Sequence, residues 1–143
     1  MAETVIVDSG FLVALLNRRD QDHKWAVAQS SEFAPPWKTC EAVLSETVYL
    51  IDSESRAIGS DSRAFLTTLL RRGAIIPTFA FIDNRDPVLN LLQKYEDVPM
   101  SMADACLVRM TEILPDPIIL TNDSDFYIYR RHSRQVVPCA MPF

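Results

Sequence analysis

Short apolar runs alternate with longer helical stretches along this chain, and that alternation restricts the fold more than any other feature. Thr4-Val5-Ile6-Val7 is β-branched and apolar and stops at Asp8-Ser9-Gly10, which reads as a buried strand followed by a turn. Phe11 to Asn17 then reads as helix, and a second helix is expected from Asp20 or Asp22 to about Ser31. Pro35-Pro36 ends it. Trp37-Lys38-Thr39 fits a short strand, with Thr39 as N-cap of a helix through about Asp52. A further helix is expected over Asp61–Arg72, closed by Gly73 at the C′ position, then a strand over Ala74–Pro77. Pro87–Tyr95 and a segment from Ser101 to about Leu114 are helical, the latter ended by Pro115 and Pro117. Ile118–Thr121 is a clear strand, and Gln135–Val137 is expected to be the last one.

This order implies an α/β domain with a mostly parallel central sheet covered by helices on both faces. The 143 residues fit one domain over 1–143, and 48% apolar content is enough for a sizeable core. Cys40, Cys106 and Cys139 have no ligand-like spacing, which points to reduced, buried thiols in a cytoplasmic protein. The Met-Ala-Glu-Thr start lacks a basic leader, and no apolar run approaches a membrane span, so no membrane partner is expected. A net charge of −5 is unusual for a binder of phosphate-rich polymers, unless some of the acids hold cations.

In parallel sheets ligands bind outside the carboxyl ends of the strands. Asp8 follows the first strand directly, and Asp123 and Asp125 follow Ile118–Thr121, so neighbouring strands would bring these carboxylates together. Each has a plainer explanation. Asp8 can cap the next helix, and Asn122-Asp123-Ser124-Asp125 is good turn sequence. Asp104 completes the capping pattern Ser101-Met102-Ala103-Asp104, which still leaves it at a helix N-terminus facing the sheet edge. Glu41 and Glu46 lie about 140° apart on their helix and cannot both face one small site. Glu41 suits the first turn, where the helix dipole favours an acid. Glu46 sits among the apolar neighbours Val43 and Leu50, where an unpaired carboxylate is costly, and is the better candidate. Four carboxylates and only two histidines point to Mg²⁺ or Mn²⁺ rather than zinc.

These segments resemble the PIN-domain ribonucleases, including the VapC-type toxins of toxin–antitoxin pairs. The resemblance rests on Val5-Ile6-Val7-Asp8-Ser9-Gly10, Val43-Leu44-Ser45-Glu46, Ser101-Met102-Ala103-Asp104-Ala105 and Thr121-Asn122-Asp123-Ser124-Asp125-Phe126, with Asp22-His23 and Ala26 in the second helix. It implies a three-layer α/β/α sandwich and a site of Asp8, Glu46, Asp104 and Asp123 holding one or two Mg²⁺ or Mn²⁺ ions. Asp125 is then a further ligand or a substitute for Asp123, and Ser9 and Thr121 are supporting residues. RNA is the implied substrate, a homodimer is expected, and a cognate antitoxin is an allowed partner. Arg130, Arg131 and Arg134, with Arg18, Arg19 and Lys24, are candidate RNA contacts, although ordinary surface charge explains any one of them equally well. Tyr127 and Tyr129 are candidates for base stacking, against the commoner use of such residues in packing.

Two other α/β readings fit less well. A haloacid-dehalogenase-type phosphatase needs a second acid where Gly10 stands, and a receiver domain needs an acidic pair at the first strand where only Asp8 is available. A catalytically silent PIN-like module binding RNA or protein would keep the fold without the chemistry.

Overall fold

The computed structural model describes residues 2–54 and 56–143. Met1, part of the non-basic start noted above, lies outside them. The first strand, β1 (Thr4–Val7), carries the β-branched run, with Ile6 and Val7 fully buried. Helix α1 (Ser9–Leu16) begins two residues earlier than its apolar pattern suggests, because Asp8 caps it. Its Phe11 packs edge-on against Trp25 of α2 (His23–Glu32) and Trp37 of β2 (Trp37–Thr39), anchoring the second helix to the sheet.

The helix α3 (Glu41–Asp52) is N-capped by Cys40, not Thr39. The Thr39 hydroxyl instead donates to the Val7 carbonyl at 2.8 Å, tying β2 to β1. Helix α4 (Arg56–Arg71) starts five residues before the expected Asp61. Gly59 disfavours helix by propensity, but here it is where α4 meets α3: a Cβ would lie 2.9 Å from the Ile51 carbonyl oxygen. Close packing therefore overrides the local preference. Gly73, at φ 73°, then takes the left-handed conformation expected past the helix end.

After β3 (Ile75–Pro77) a single 3-10 turn (Phe81–Asn84) leads into α5 (Arg85–Lys94). Pro87 is thus the third residue of α5, in the first turn where no N–H partner is lost. Helix α6 (Met102–Ile113) carries the capping box of Ser101 and Asp104, and β4 (Pro117–Leu120) follows.

The C-terminal part departs from expectation. Gln135–Val136 (β6) pairs antiparallel with Arg130–Arg131 (β5) in a ribbon separate from the main sheet, and the chain's last strand is β7 (Cys139–Ala140). Two residues with prolines on either side give no periodic signal. The strand exists because Ile119 donates to the Pro138 carbonyl and Thr121 to that of Ala140. The main sheet has the order β3-β2-β1-β4-β7 with all pairings parallel, flanked by helices. β1 and β4 are neighbours, in register from Thr4 opposite Pro117 to Val7 opposite Leu120. One step further puts Asp8 beside Thr121 at the carboxyl edge.

Candidate metal centre

Asp8 is buried at that edge, and both of its oxygens are engaged. Oδ1 accepts from the Ser9 backbone N–H and Oδ2 from the Thr121 hydroxyl, each at 2.7 Å. Capping and site-building are therefore the same act for this residue. Burial pushes its carboxyl up to about 7, with the Thr121 hydroxyl pulling the other way and the charge of Asp104 adding to the rise.

Asp104 arrives from α6. Its backbone N–H donates to the Ser101 hydroxyl oxygen at 3.0 Å, and its Oδ2 accepts from the Ser101 backbone N–H in return. The same oxygen accepts the Tyr129 hydroxyl at 2.9 Å. Burial raises this carboxyl above its ordinary range, while the Tyr129 hydrogen bond holds it down. Asp123 caps the 3-10 turn Ser124–Tyr127 through Oδ1, which accepts from the Asp125 N–H at 2.9 Å. Its own N–H donates to Thr121 Oγ1 at 3.1 Å. Its carboxyl is raised as well, mainly by burial.

One oxygen from each of Asp8, Asp104 and Asp123 lies within 4.8 Å of the others. Glu46 is not part of this triplet. It stands half-buried beside it, with Oε1 accepting the Ser9 hydroxyl, so Ser9 links the α3 acid to the sheet edge. Glu41, the other acid of α3, is exposed in the first turn. Asp125 is outside the triplet and supplies a backbone N–H to Asp123.

The basic residues divide into two groups. Arg130 donates to the carbonyls of Tyr127 and Tyr129 at 2.8 and 2.9 Å, and Arg131 donates to the Thr111 carbonyl, so both hold the chain together. Arg18, Arg19, Lys24 and Arg134 are exposed. Tyr129 is not available for stacking on bases. It is fully buried, edge-on to Tyr95 and Phe126, with its hydroxyl on Asp104. Tyr127 is exposed. The sequence carried little signal for the Tyr129–Asp104 contact, beyond an aromatic with a polar tip close after an acidic motif. Cys40 and Cys106 are buried as expected, whereas Cys139 is half-buried, and all three are free thiols.

Like charges about 5 Å apart repel by roughly 3–4 kcal/mol at an effective dielectric near 20. A hydrogen bond to a charged group returns about 1.5–3 kcal/mol. The hydrogen bonds to the three carboxylates offset repulsion of that order, but they leave the negative charge itself unneutralised. Among the described residues the ion pairs Arg63–Asp52, Arg85–Asp86 and Arg109–Glu112 all lie elsewhere, so no cationic side chain balances the triplet. His23 is occupied by the Ala14 carbonyl. A set of carboxylate oxygens without nitrogen or sulfur donors suits a hard divalent cation.

A family model of the PIN domain matches residues 5–131. The chain belongs to the PIN-domain family. The match takes in all three clustered aspartates and Glu46 and ends before β7. No curated protein matches the chain. Two solved structures resemble this PIN domain in fold. VapC20 of Mycobacterium tuberculosis, described as a sarcin–ricin loop cleaving toxin, superposes with a TM-score of 0.63 over 81% of this chain and 87% of its own, at 21% identity. VapBC2 of Rickettsia felis, solved bound to a DNA fragment from their promoter, gives 0.62 over 96% of this chain and 98% of that one, at 12% identity.

Proposed function

We propose that this PIN-domain protein, a single domain over its whole length, is a Mg²⁺- or Mn²⁺-dependent endoribonuclease and the toxin of a toxin–antitoxin pair. The observation that carries the reading is the triplet of Asp8, Asp104 and Asp123 at the carboxyl edge of adjacent parallel strands. These three residues, with Glu46 beside them, would hold the cation. When bound, the cation supplies charge stabilisation at a phosphodiester undergoing in-line attack and favours ionisation of the attacking water.

The chain's own groups divide the remaining work. Thr121 and the Ser9 N–H fix the Asp8 carboxylate, and Tyr129 and Ser101 both donate to Asp104 Oδ2 and so orient that carboxylate. Glu46 is steadied through one oxygen by Ser9, and its other oxygen is suited to orient water. Asp125 supports Asp123 through its backbone N–H and is a reserve ligand in this reading. Exposed Arg18, Arg19, Lys24 and Arg134 would contact RNA phosphates. Arg130 and Arg131 would contribute mainly by shaping the surface, since their guanidinium groups already donate to carbonyls.

The toxin part of the proposal is supported by the family and by the VapC fold neighbours. It brings with it a cognate antitoxin, a homodimer and a cytoplasmic location. No helix among the described residues is long and apolar enough to cross a membrane. The test is cleavage of a panel of structured and single-stranded RNAs with Mn²⁺, Mg²⁺ or EDTA. Cleavage is expected with either metal, none with EDTA, and none from a folded Asp8→Asn variant. Metal-dependent activity retained by Asp8→Asn would remove the assignment. A folded chain that binds no Mn²⁺ and cuts no RNA would favour a silent binding module.

A further inference from the structure

Asp22 stands at the N-cap position of α2, where an aspartate ordinarily accepts from the first free N–H groups of the helix. Its side chain makes no capping bond. Oδ2 instead accepts from Asn122 Nδ2 at 3.0 Å, across a hundred residues of sequence. Asn122 is the residue between Thr121, which holds Asp8, and Asp123. On its other side the Asn122 carboxamide fills the space over Gly10, where a Cβ would collide with its oxygen. Gly10 follows Ser9, the residue that joins Asp8 to Glu46. One side chain thus meets both α1 and α2 from the loop that delivers the third aspartate.

That loop needs such a tie. Asp123 is pressed toward two like-charged neighbours, and a loop free to relax would swing it outward. The Asp22 carboxylate gives up its capping role to anchor the loop, and the missing side chain at Gly10 makes room for the anchor. We infer that Asn122 and Asp22 form a positioning latch that sets the third carboxylate for cation binding, an inference that rests on the metal-site reading above. Neither residue touches the reacting atoms in this assignment.

The test is Mn²⁺ affinity of the full chain by titration calorimetry, with the metal-free melting temperature measured alongside. Asn122→Ala and Asp22→Ala should each weaken Mn²⁺ binding about tenfold, the usual scale for groups that orient ligands. The double variant should be no weaker than either single one, because both remove one contact. Factors that instead multiply to about a hundredfold would mean separate actions and overturn the latch. Gly10→Ala is the companion variant, since alanine favours a helix more than glycine does. It should keep the metal-free melting temperature while losing Mn²⁺ affinity, and unchanged affinity would also overturn the latch. A wild-type chain that binds no Mn²⁺ removes the metal-site reading itself. Wild-type binding with unaffected variants removes this inference alone.

Discussion

Asp8 is constrained on several sides at once, capping a helix, receiving the Thr121 hydroxyl and facing two other acids. Its carboxyl titrates near 7 when folded, against 3.8 ordinarily. Below pH 3.8 it is protonated in both folded and unfolded chains and costs nothing. Between those values the folded protein keeps a proton that the unfolded chain releases, so metal-free stability falls as pH rises, and the loss is complete above about 7. A shift of that size corresponds to a loss of at most about 4 kcal/mol. Asp8→Asn keeps a side-chain oxygen for the Ser9 N–H and a polar group for Thr121, but carries no charge. In EDTA at pH 8 it should therefore be more stable than wild type by about 1–3 kcal/mol, and the gap should close toward pH 4. Urea unfolding at the two pH values checks this, and a variant less stable at pH 8 would refute it. Tyr129→Phe tests a different contact. The ring stays in its aromatic pocket while Asp104 loses its buried donor. Mn²⁺ binding should weaken about tenfold, with the fold intact by near-ultraviolet circular dichroism. Unchanged affinity would show that the hydroxyl does not orient Asp104.

Helices and strands were legible where they carry their own signals. Thr4–Val7 is β-branched and buried, and the Ser101–Asp104 pattern marks the start of α6 correctly. Elements that depend on neighbours were not legible. β7 is made by hydrogen bonds to β4, and Thr39 turns from a cap into a strand tie because Val7 lies within reach. The early start of α4 belongs to the same class, and it sets a prediction at this scale. In an isolated helix Gly59→Ala would stabilise by about 1 kcal/mol. Against α3 the added carbon would meet the Ile51 carbonyl at 2.9 Å, a backbone atom that cannot swing away. The two helices must separate, and net destabilisation of about 1–2 kcal/mol is expected from such overpacking. Thermal melting decides the sign. A higher melting temperature for Gly59→Ala would mean that the α3–α4 spacing is soft.

At the scale of the whole molecule, the site is a product of chain topology. Asp8, Asp104 and Asp123 span most of the sequence, and they meet because β1 and β4 are parallel neighbours in the sheet and α6 leads directly into β4. The carboxyl-end rule for parallel sheets made the approach of Asp8 and Asp123 readable from strand ends, while Asp104 was read from the capping pattern at the start of a helix facing the same edge. Ser9 and Thr121 were legible as supports from the motifs that hold them, whereas the contacts of Tyr129 with Asp104 and of Asn122 with Asp22 were hidden, since they form only in the folded chain. The convergence also ties stability to metal and to pH. All three clustered carboxyls are raised, Asp8 to about 7, so at pH 6 the metal-free protein retains a proton on Asp8 that a cation must displace. Mn²⁺ binding near pH 6 should release protons, visible as a calorimetric heat that depends on the buffer's ionisation enthalpy, and that dependence should fade by pH 8.5. Affinity should rise across the same interval and then level off. Folded chain saturated at a hundred times the dissociation constant gains about 2.7 kcal/mol, so Mn²⁺ should raise the melting temperature by several degrees at pH 8 and by much less at pH 5. An equal rise at both pH values would mean that the cation binds elsewhere, because only a site built from these raised carboxyls couples binding to protons in that window.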